Sequence, residues 1–264
     1  MTTSVERSKS AVAESFSRAA KSYDSAAQLQ RDIGTDLFKL LPVNASPQTV
    51  VDIGSGTGFF TGKLKQVYPQ AMVCGLDLAQ GMLRYARSQH PASLAWLGAD
   101  MESLPFAEAS IQLFFSSLAL QWSEDLPAFF TEIYRALAPG GLIALATLGP
   151  NTLFELRDSW RQVDGFTHVN QFAHAEEVRA AAGQAGLQEQ RWVNGEKVMH
   201  YDALRDLTHE LKAIGAHNVN RARAPGLTGR EKLIKLRTSY EAYRQPAGLP
   251  ATYEVYWMLL QRPE

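Results

Sequence analysis

The sequence predicts an α/β fold, an open, doubly wound and mostly parallel sheet with helices on both faces. Short, nearly continuous apolar runs recur as far as Thr147, helical patterns fill the gaps between them, and a glycine loop follows the first run. An unbroken apolar run of strand length marks a strand buried on both faces, and parallel neighbours need a helical crossover between them.

The strands are expected at Thr49–Ile53, Ala71–Leu76, Ser93–Leu97, Ile111–Phe115 and Gly141–Thr147. Helices are expected at Gly58–Val67, Ala79–His90 and Leu126–Leu137, the last ended by Pro139-Gly140-Gly141. Beyond Thr147 the alternation stops. Helix-like stretches at Asn151–Val163, Ala175–Ala185 and Asp202–Ile214 surround a strand expected near Gln188–His200, and a Gly/Pro-punctuated basic loop follows. The closing segment Thr252–Gln261, rich in aromatic and β-branched residues, reads as a strand. The first 45 residues look helical, with Phe16, Ala20, Tyr23, Ala27, Leu37 and Leu41 as apolar positions that could cap the core or cover a site.

Composition removes several function classes. The 264 residues are 45% hydrophobic and 20% charged, enough for one sizeable core and unlike a disordered or fibrous chain. No apolar run reaches about 18 residues, so no membrane-spanning helix is expected. The first residues hold no apolar stretch of signal-peptide kind, so the expected compartment is the cytoplasm. A single cysteine, Cys74, allows no internal disulfide, and no Cys/His set has zinc spacing, so no metal is expected. A net charge of −1 gives no whole-chain argument for nucleic acid or an anionic membrane.

The strongest local signal is Val51-Asp52-Ile53-Gly54-Ser55-Gly56-Thr57-Gly58, at the junction of first strand and first helix. Open α/β sheets bind ligands there, because glycines admit a ligand close to the backbone and the helix start offers unpaired amides. A nicotinamide dinucleotide loop wants its third glycine at position 59, which is Phe59. Asp77 and Asp100 stand at the ends of the next two strands. Asp77 suits a pair of ribose hydroxyls, or else an N-cap for the following helix.

The loop, with an acid two residues before its first glycine, resembles that of class I S-adenosylmethionine-dependent methyltransferases. Ser116-Ser-Leu-Ala-Leu-Gln-Trp122, Leu153-Phe-Glu-Leu-Arg157 with Trp160, His168-Val-Asn-Gln-Phe172, Leu211-Lys-Ala-Ile-Gly-Ala-His217 and Leu249-Pro-Ala-Thr-Tyr-Glu-Val255 narrow the resemblance to the biotin-pathway malonyl-[acyl-carrier-protein] O-methyltransferase family, from about Phe16 to the C-terminus. Ser117, where this family often has Asn, and Ser55, in place of a common Cys, depart from its pattern. The resemblance implies one methyltransferase domain with a Rossmann-like, seven-stranded sheet whose last strand is antiparallel. Residues 1–45 would form a helical cap, 46–147 the cofactor-binding core, and 148–175 and 202–248 lid and partner segments.

By the same resemblance, S-adenosylmethionine is the cofactor. Asp52 with Gly54, Ser55, Gly56 and Gly58 would surround its methionine part, Asp77 would meet its ribose hydroxyls, Asp100 with Met101 its adenine, and Leu78, Met82 and Ser116 would also contact it. The implied reaction is methylation of the free carboxylate of malonyl-acyl carrier protein, or of malonyl-coenzyme A, at the start of biotin assembly. Such a carboxylate, with a pKa of about 4, is already ionised and already a nucleophile, so no catalytic base is required. Alignment and exclusion of water are required instead, and together can supply about 7–11 kcal/mol.

A cation should select the carboxylate. Arg157, in the segment after the fifth strand, suits carboxylate geometry, or else pairs on the surface with Glu155 or Asp158. Tyr23 could pack on the cofactor and hydrogen-bond the substrate, or sit in the core. Gln28 and Arg31 could reach the cofactor carboxylate, and His168, Asn170 and Phe172 could line the substrate pocket. Trp122 is expected to pack beneath the site. Residues 205–237 carry eight Lys or Arg against Asp206, Glu210 and Glu231, a patch that could steer an acidic carrier. A trans-aconitate-type methyltransferase of small free acids, a nicotinamide-dependent oxidoreductase and a silent cofactor-binding module are the competing readings.

Overall fold

The computed structural model describes residues 9–42, 44–216 and 229–264. His217, Arg221 and Arg223 of the sequence-derived motifs and basic patch lie outside the described residues. Seven strands form one sheet: β1 Thr49–Ile53, β2 Met72–Asp77, β3 Ala95–Gly98, β4 Ile111–Ser117, β5 Leu137–Leu148, β6 Gln188–Tyr201 and β7 Leu249–Gln261. Their order is β3-β2-β1-β4-β5-β7-β6, and β7 runs antiparallel to both of its neighbours. The order reverses beside β1, between β2 and β4, so the carboxyl end of β1 opens at the place where doubly wound sheets hold ligands.

Alternation along the central strands fills both faces. Leu113 and Phe115 of β4 join one core cluster and Phe114 the other, and Val50 and Val51 of β1 divide in the same way. Helix α3 (Gln28–Phe38) covers the first face with Leu29, Ile33 and Leu37, beside α4 (Phe59–Val67) with Leu64. Helices α6 (Leu126–Ala136) and α8 (Ala175–Gln184) cover the second with Phe129, Phe130, Ile133 and Val178. Helix α6 starts cleanly because Asp125 accepts from Ala128 N and Pro127 sits in its first turn.

The segment before β1 is helical, as expected: α1 (Lys9–Ala19), the short α2 (Tyr23–Ala26) and α3. Helix α1 lies on α5 (Gln80–Gln89), where the Ser17 hydroxyl accepts from Gly81 N at 3.0 Å. Trp257 Nε1 donates to Ile33 O at 2.9 Å, fixing α3 on β7. After β5 come α7 (Phe154–Arg161), α8 and, following β6, α9 (Leu204–Ala213) and α10 (Arg230–Glu241).

Two expectations are corrected. Helix α6 stops at Ala136 and Pro139-Gly140-Gly141 lies inside β5, where Gly140 has φ 72° and the pairing with β4 shifts between Ile111 and Leu113. The glycines therefore make an irregularity in a strand and do not end the helix. Arg230–Glu241, read as part of a basic loop, is the helix α10. It buries only Leu236 and Tyr240, too few positions for a visible helical stripe.

Candidate active site

The turn after β1 is built on left-handed glycines: Gly54, Gly56 and Gly58 have φ of 70°, 54° and 87°. Gly54 N and Ser55 N both donate to Leu76 O, closing the loop against β2. A Cβ on Gly54 would stand 2.3 Å from Ala119 Cβ, so only glycine fits, whereas a Cβ on Gly56 would enter open space. That space is a cleft of about 770 Å³ at the carboxyl ends of β1, β2 and β4, roofed by α1 and α2.

Asp77 spans the cleft floor. Its Oδ2 accepts from Gly56 N at 2.8 Å and its Oδ1 from Ala79 N at 2.7 Å, so it ties the glycine loop to the start of α5. Burial pushes its carboxyl above the usual carboxylate range, and these backbone donors pull it back. Leu78, Met82, Asp100 and Met101 line the same cleft. Asp100 Oδ2 receives Lys9 Nζ at 2.7 Å, and Lys9 also pairs with Glu102, an anchor of α1 that the sequence did not suggest.

Asp52 lies underneath, 3% exposed, accepting from Thr61 Oγ1 at 2.6 Å and so joining β1 to α4. Burial pushes its carboxyl up to about 7, opposed by the Thr61 hydroxyl and reinforced by Asp77. It does not line the cleft. Ser116 does not either: fully buried, it donates to Ile53 O at 3.1 Å, and Ser117 takes its place in the lining, with a buried Oγ that has no hydrogen-bond partner. Gly58 and Ser55 shape the loop from behind, Gly58 packed on Trp96 and His90 and Ser55 beside Gly75.

Gln28 and Arg31 are turned elsewhere. Arg31 donates to Asp24 O at 2.7 Å and to Gln28 Oε1, while Gln28 Nε2 donates to Asp32. Arg31 therefore locks the start of α3 to α2, Gln28 bonds only within α3, and neither lines the cleft. Asp24 Oδ1 in turn accepts from Thr57 Oγ1 at 2.7 Å, holding α2 on the glycine loop.

A second, larger cleft of about 1160 Å³ lies next to the first, and Phe16, Tyr23, Leu118 and Trp122 line both. Phe16 meets Trp122 edge-on at 5.3 Å and Tyr23 at 6.5 Å, so aromatic rings from the N-terminal helices and from the turn after β4 form the partition. Leu118 there, and Leu153 in the second cleft, have φ of 56° and 53°. Left-handed backbone is strained for a leucine, by about 1–3 kcal/mol, and such strain clusters at functional sites. Burial, reinforced by the nearby Asp77 and Asp24, raises the Tyr23 phenol above its usual range and keeps it protonated as a donor.

His168, Asn170 and Phe172 all line the second cleft. His168 stacks on Trp160 at 3.5 Å and its Nε2 bonds Asp164 Oδ1 at 2.7 Å. Asp164 also takes Lys232 Nζ at 3.0 Å, and although burial opposes it, these hydrogen bonds hold its carboxyl down at about 2. Arg157 lines neither cleft: its Nη1 donates to Pro150 O at 2.7 Å and its Nε stands 3.9 Å from Asp158. Leu118, Gln30 and Tyr253 are lining residues the sequence did not single out for the site, while Phe16, expected only as a cap position, and Lys212, expected only in the basic patch, line it as well. Among the described residues, no group of three or more His, Cys, Asp or Glu could hold a metal ion.

The fold and the first cleft define a methyltransferase domain, and the family model described as "Methyltransferase domain" matches residues 51–145. A malonyl-[acyl-carrier protein] O-methyltransferase of Hahella chejuensis is 45% identical over 94% of this chain and 88% of its own length. The chain belongs to the malonyl-[acyl-carrier protein] O-methyltransferase family. The biotin biosynthesis bifunctional protein BioHC of Cellvibrio japonicus is 48% identical over 97% of this chain, which spans 50% of that protein's length. Among solved structures, the phosphoethanolamine N-methyltransferase 2 of Haemonchus contortus in complex with S-adenosyl-L-methionine shares the fold, with a TM-score of 0.57 and 17% identity over 94% of this chain and 57% of that one.

Proposed function

We propose that this protein transfers a methyl group from S-adenosylmethionine to the free carboxylate of a malonyl thioester carried on acyl carrier protein, in biotin synthesis. The observation that carries this reading is the pair of clefts meeting at Phe16, Tyr23, Leu118 and Trp122. One cleft sets the carboxylates of Asp77 and Asp100 beside a glycine loop whose backbone a nucleoside can approach closely. The other is mostly apolar, which suits an acyl chain, and among the described residues its lining holds Lys212 and no Asp or Glu, so that an anionic end meets no like charge.

The first cleft fits the cofactor on three counts. Gly56 leaves room for a ligand against the backbone, Asp77 has lone pairs to spare for ribose hydroxyls, and Ser117 Oγ waits for a partner. Gly54, Gly56, Asp77, Leu78, Met82, Asp100 and Met101 would hold it. Bound there, S-adenosylmethionine supplies an electrophilic methyl group. The residues of the chain do the rest. Asp77 and the glycine loop fix the cofactor, Phe16 and Trp122 exclude water, and the Tyr23 hydroxyl orients the carboxylate at the partition. No side chain has to take a proton, because the nucleophile is already an anion.

The larger cleft and its basic surroundings support a carrier-bound substrate. Arg205, Lys212, Arg230, Lys232, Lys235 and Arg237 lie on α9 and α10, and α10 also exposes Leu233 and Ile234 at 50% and 57%. Positive charge steers an acidic partner to the mouth, and exposed leucine and isoleucine give it apolar contact. Among the described residues no helix is long and apolar enough to cross a membrane.

The test is incubation with S-adenosylmethionine and malonyl-acyl carrier protein, in parallel with malonyl-coenzyme A and trans-aconitate, followed by mass spectrometry. A single methyl group gained by the carrier, and removed by mild base as an ester, is the expected result. Methylation of trans-aconitate alone would replace this reading by that of a small-acid methyltransferase.

A further inference from the structure

We propose that Lys212, near the end of α9, is the cation that selects the substrate carboxylate in the second cleft, the task the sequence suggested for Arg157. The inference rests on the carboxyl-methylation reading above and names the residue that gives it its specificity.

Charge is the first argument. Among the described residues lining this cleft, Lys212 is the one Lys or Arg, and none is Asp or Glu. The neighbouring charges are already engaged. Glu210 accepts from Tyr201 Oη at 2.9 Å, Asp206 Oδ2 accepts from Ala203 N at 3.1 Å, and Lys232 and His168 both serve Asp164. Arg157 gives Nη1 to Pro150 O. Lys212 itself has no ion-pair partner among the described residues.

Position is the second. The chain just after Lys212 is pinned to the N-terminal cap: Ser22 Oγ donates to Ala213 O at 2.9 Å, and the buried Ser15 Oγ donates to Gly215 O at 2.9 Å. Gly215 N closes the turn on Lys212 O at 3.0 Å. The lysine therefore hangs from a backbone fixed by the same cap that carries Phe16 and Tyr23 to the partition. Across the cleft, Asn170 Oδ1 and Gln30 Oε1 are buried without hydrogen-bond partners, polar groups whose amides can meet a bound polar ligand.

The chemistry favours a lysine here. Lys212 is exposed at the cleft wall, and for a carboxylate that loses hydration on entering an apolar cleft a positive charge there is the simplest group that restores the balance for malonyl but not for acetyl. An ammonium binds as a point charge and leaves one carboxylate oxygen free to face the methyl group, whereas a guanidinium fork engages both oxygens.

The test uses wild type, Lys212→Met, Lys212→Arg and Arg157→Met, each loaded with S-adenosylhomocysteine. Binding of malonyl-pantetheine and acetyl-pantetheine is measured by calorimetry, and turnover of malonyl-acyl carrier protein separately. Wild type is expected to prefer malonyl. In Lys212→Met that preference should largely vanish and kcat/KM for the malonyl carrier should fall roughly 30-fold or more. Affinity for S-adenosylhomocysteine and Tm should hold, and Lys212→Arg should restore part of the preference. A Lys212→Met protein that still prefers malonyl as wild type does overturns the proposal, as does loss of preference in Arg157→Met alone. Wild type that binds malonyl selectively and transfers no methyl group to it would instead overturn the carboxyl-methylation reading, leaving Lys212 as the anion-binding residue.

Discussion

Replacing Asp77 by asparagine keeps the side chain's size and removes its charge. Both carboxylate oxygens are engaged by backbone, one by Gly56 N at 2.8 Å and the other by Ala79 N at 2.7 Å. Each retains a lone pair for a ribose hydroxyl. An amide has one acceptor oxygen, so in the variant an NH₂ group faces one of those N–H donors and one hydroxyl loses its acceptor. The unpaired backbone donor costs about 1–3 kcal/mol of stability, while relief of the buried carboxylate's desolvation works the other way. The lost hydrogen bond to a charged acceptor costs about 1.5–3 kcal/mol of cofactor binding, which is roughly a 10- to 150-fold rise in Kd. Titration calorimetry with S-adenosylhomocysteine, alongside thermal unfolding of the ligand-free protein, separates the two effects. A Kd within about threefold of wild type, in a folded variant, would refute the ribose role and leave Asp77 as a cap that ties the loop to α5.

Asp52 makes stability depend on pH. Its carboxyl titrates near 7 in the folded protein against 3.8 in the unfolded chain, so between these values the folded state holds a proton that the unfolded state has released. Stability should therefore fall as pH rises through that window, by up to about 4 kcal/mol, and Asp52→Asn should flatten the profile of Tm against pH. An unchanged profile in the variant would contradict this. Glu155, 1% exposed on α7, accepts from both Thr252 N and Thr252 Oγ1, so Glu155→Ala should lower stability by about 2–4 kcal/mol while S-adenosylhomocysteine still binds. Denaturant unfolding measures the first effect and calorimetry the second; a variant as stable as wild type would show that Glu155 does not hold α7 to β7. Trp122→Ala opens the partition and should lower kcat up to about 100-fold with cofactor Kd nearly unchanged, and equal losses in both would make Trp122 a packing residue of the first cleft.

The sheet was legible because its strands are buried on both faces. Val50-Val51 and Leu113-Phe114-Phe115 are apolar throughout, and the expected bounds of β1 coincide with those observed. The glycine loop and Asp77 were legible because a ligand site at a strand end needs those residue types at that place. Other positions were less so. Successive strand residues point to opposite faces, and Ser116-Ser117 are both polar, so sequence alone does not say that Ser117 reaches the cleft while Ser116 bonds Ile53. Arg157, Gln28 and Arg31 have the right chemistry, but backbone carbonyls and helical neighbours nearby take their donors. Lys212 reaches the cleft because α9 folds back over the cap, a contact between segments almost two hundred residues apart that no local pattern encodes.

The central claim is that the methyl group leaves the first cleft and arrives on a carboxylate oxygen in the second. The most direct test supplies S-adenosylmethionine labelled with ¹³C in its methyl group and malonyl-acyl carrier protein labelled with ¹³C at the free carboxyl, and records the NMR spectrum of the carrier. A methoxy signal coupled to the labelled carboxyl carbon is the predicted result. A methyl signal on the malonyl carbon chain or on a carrier side chain, or no transfer to the carrier while the cofactor binds, would contradict it.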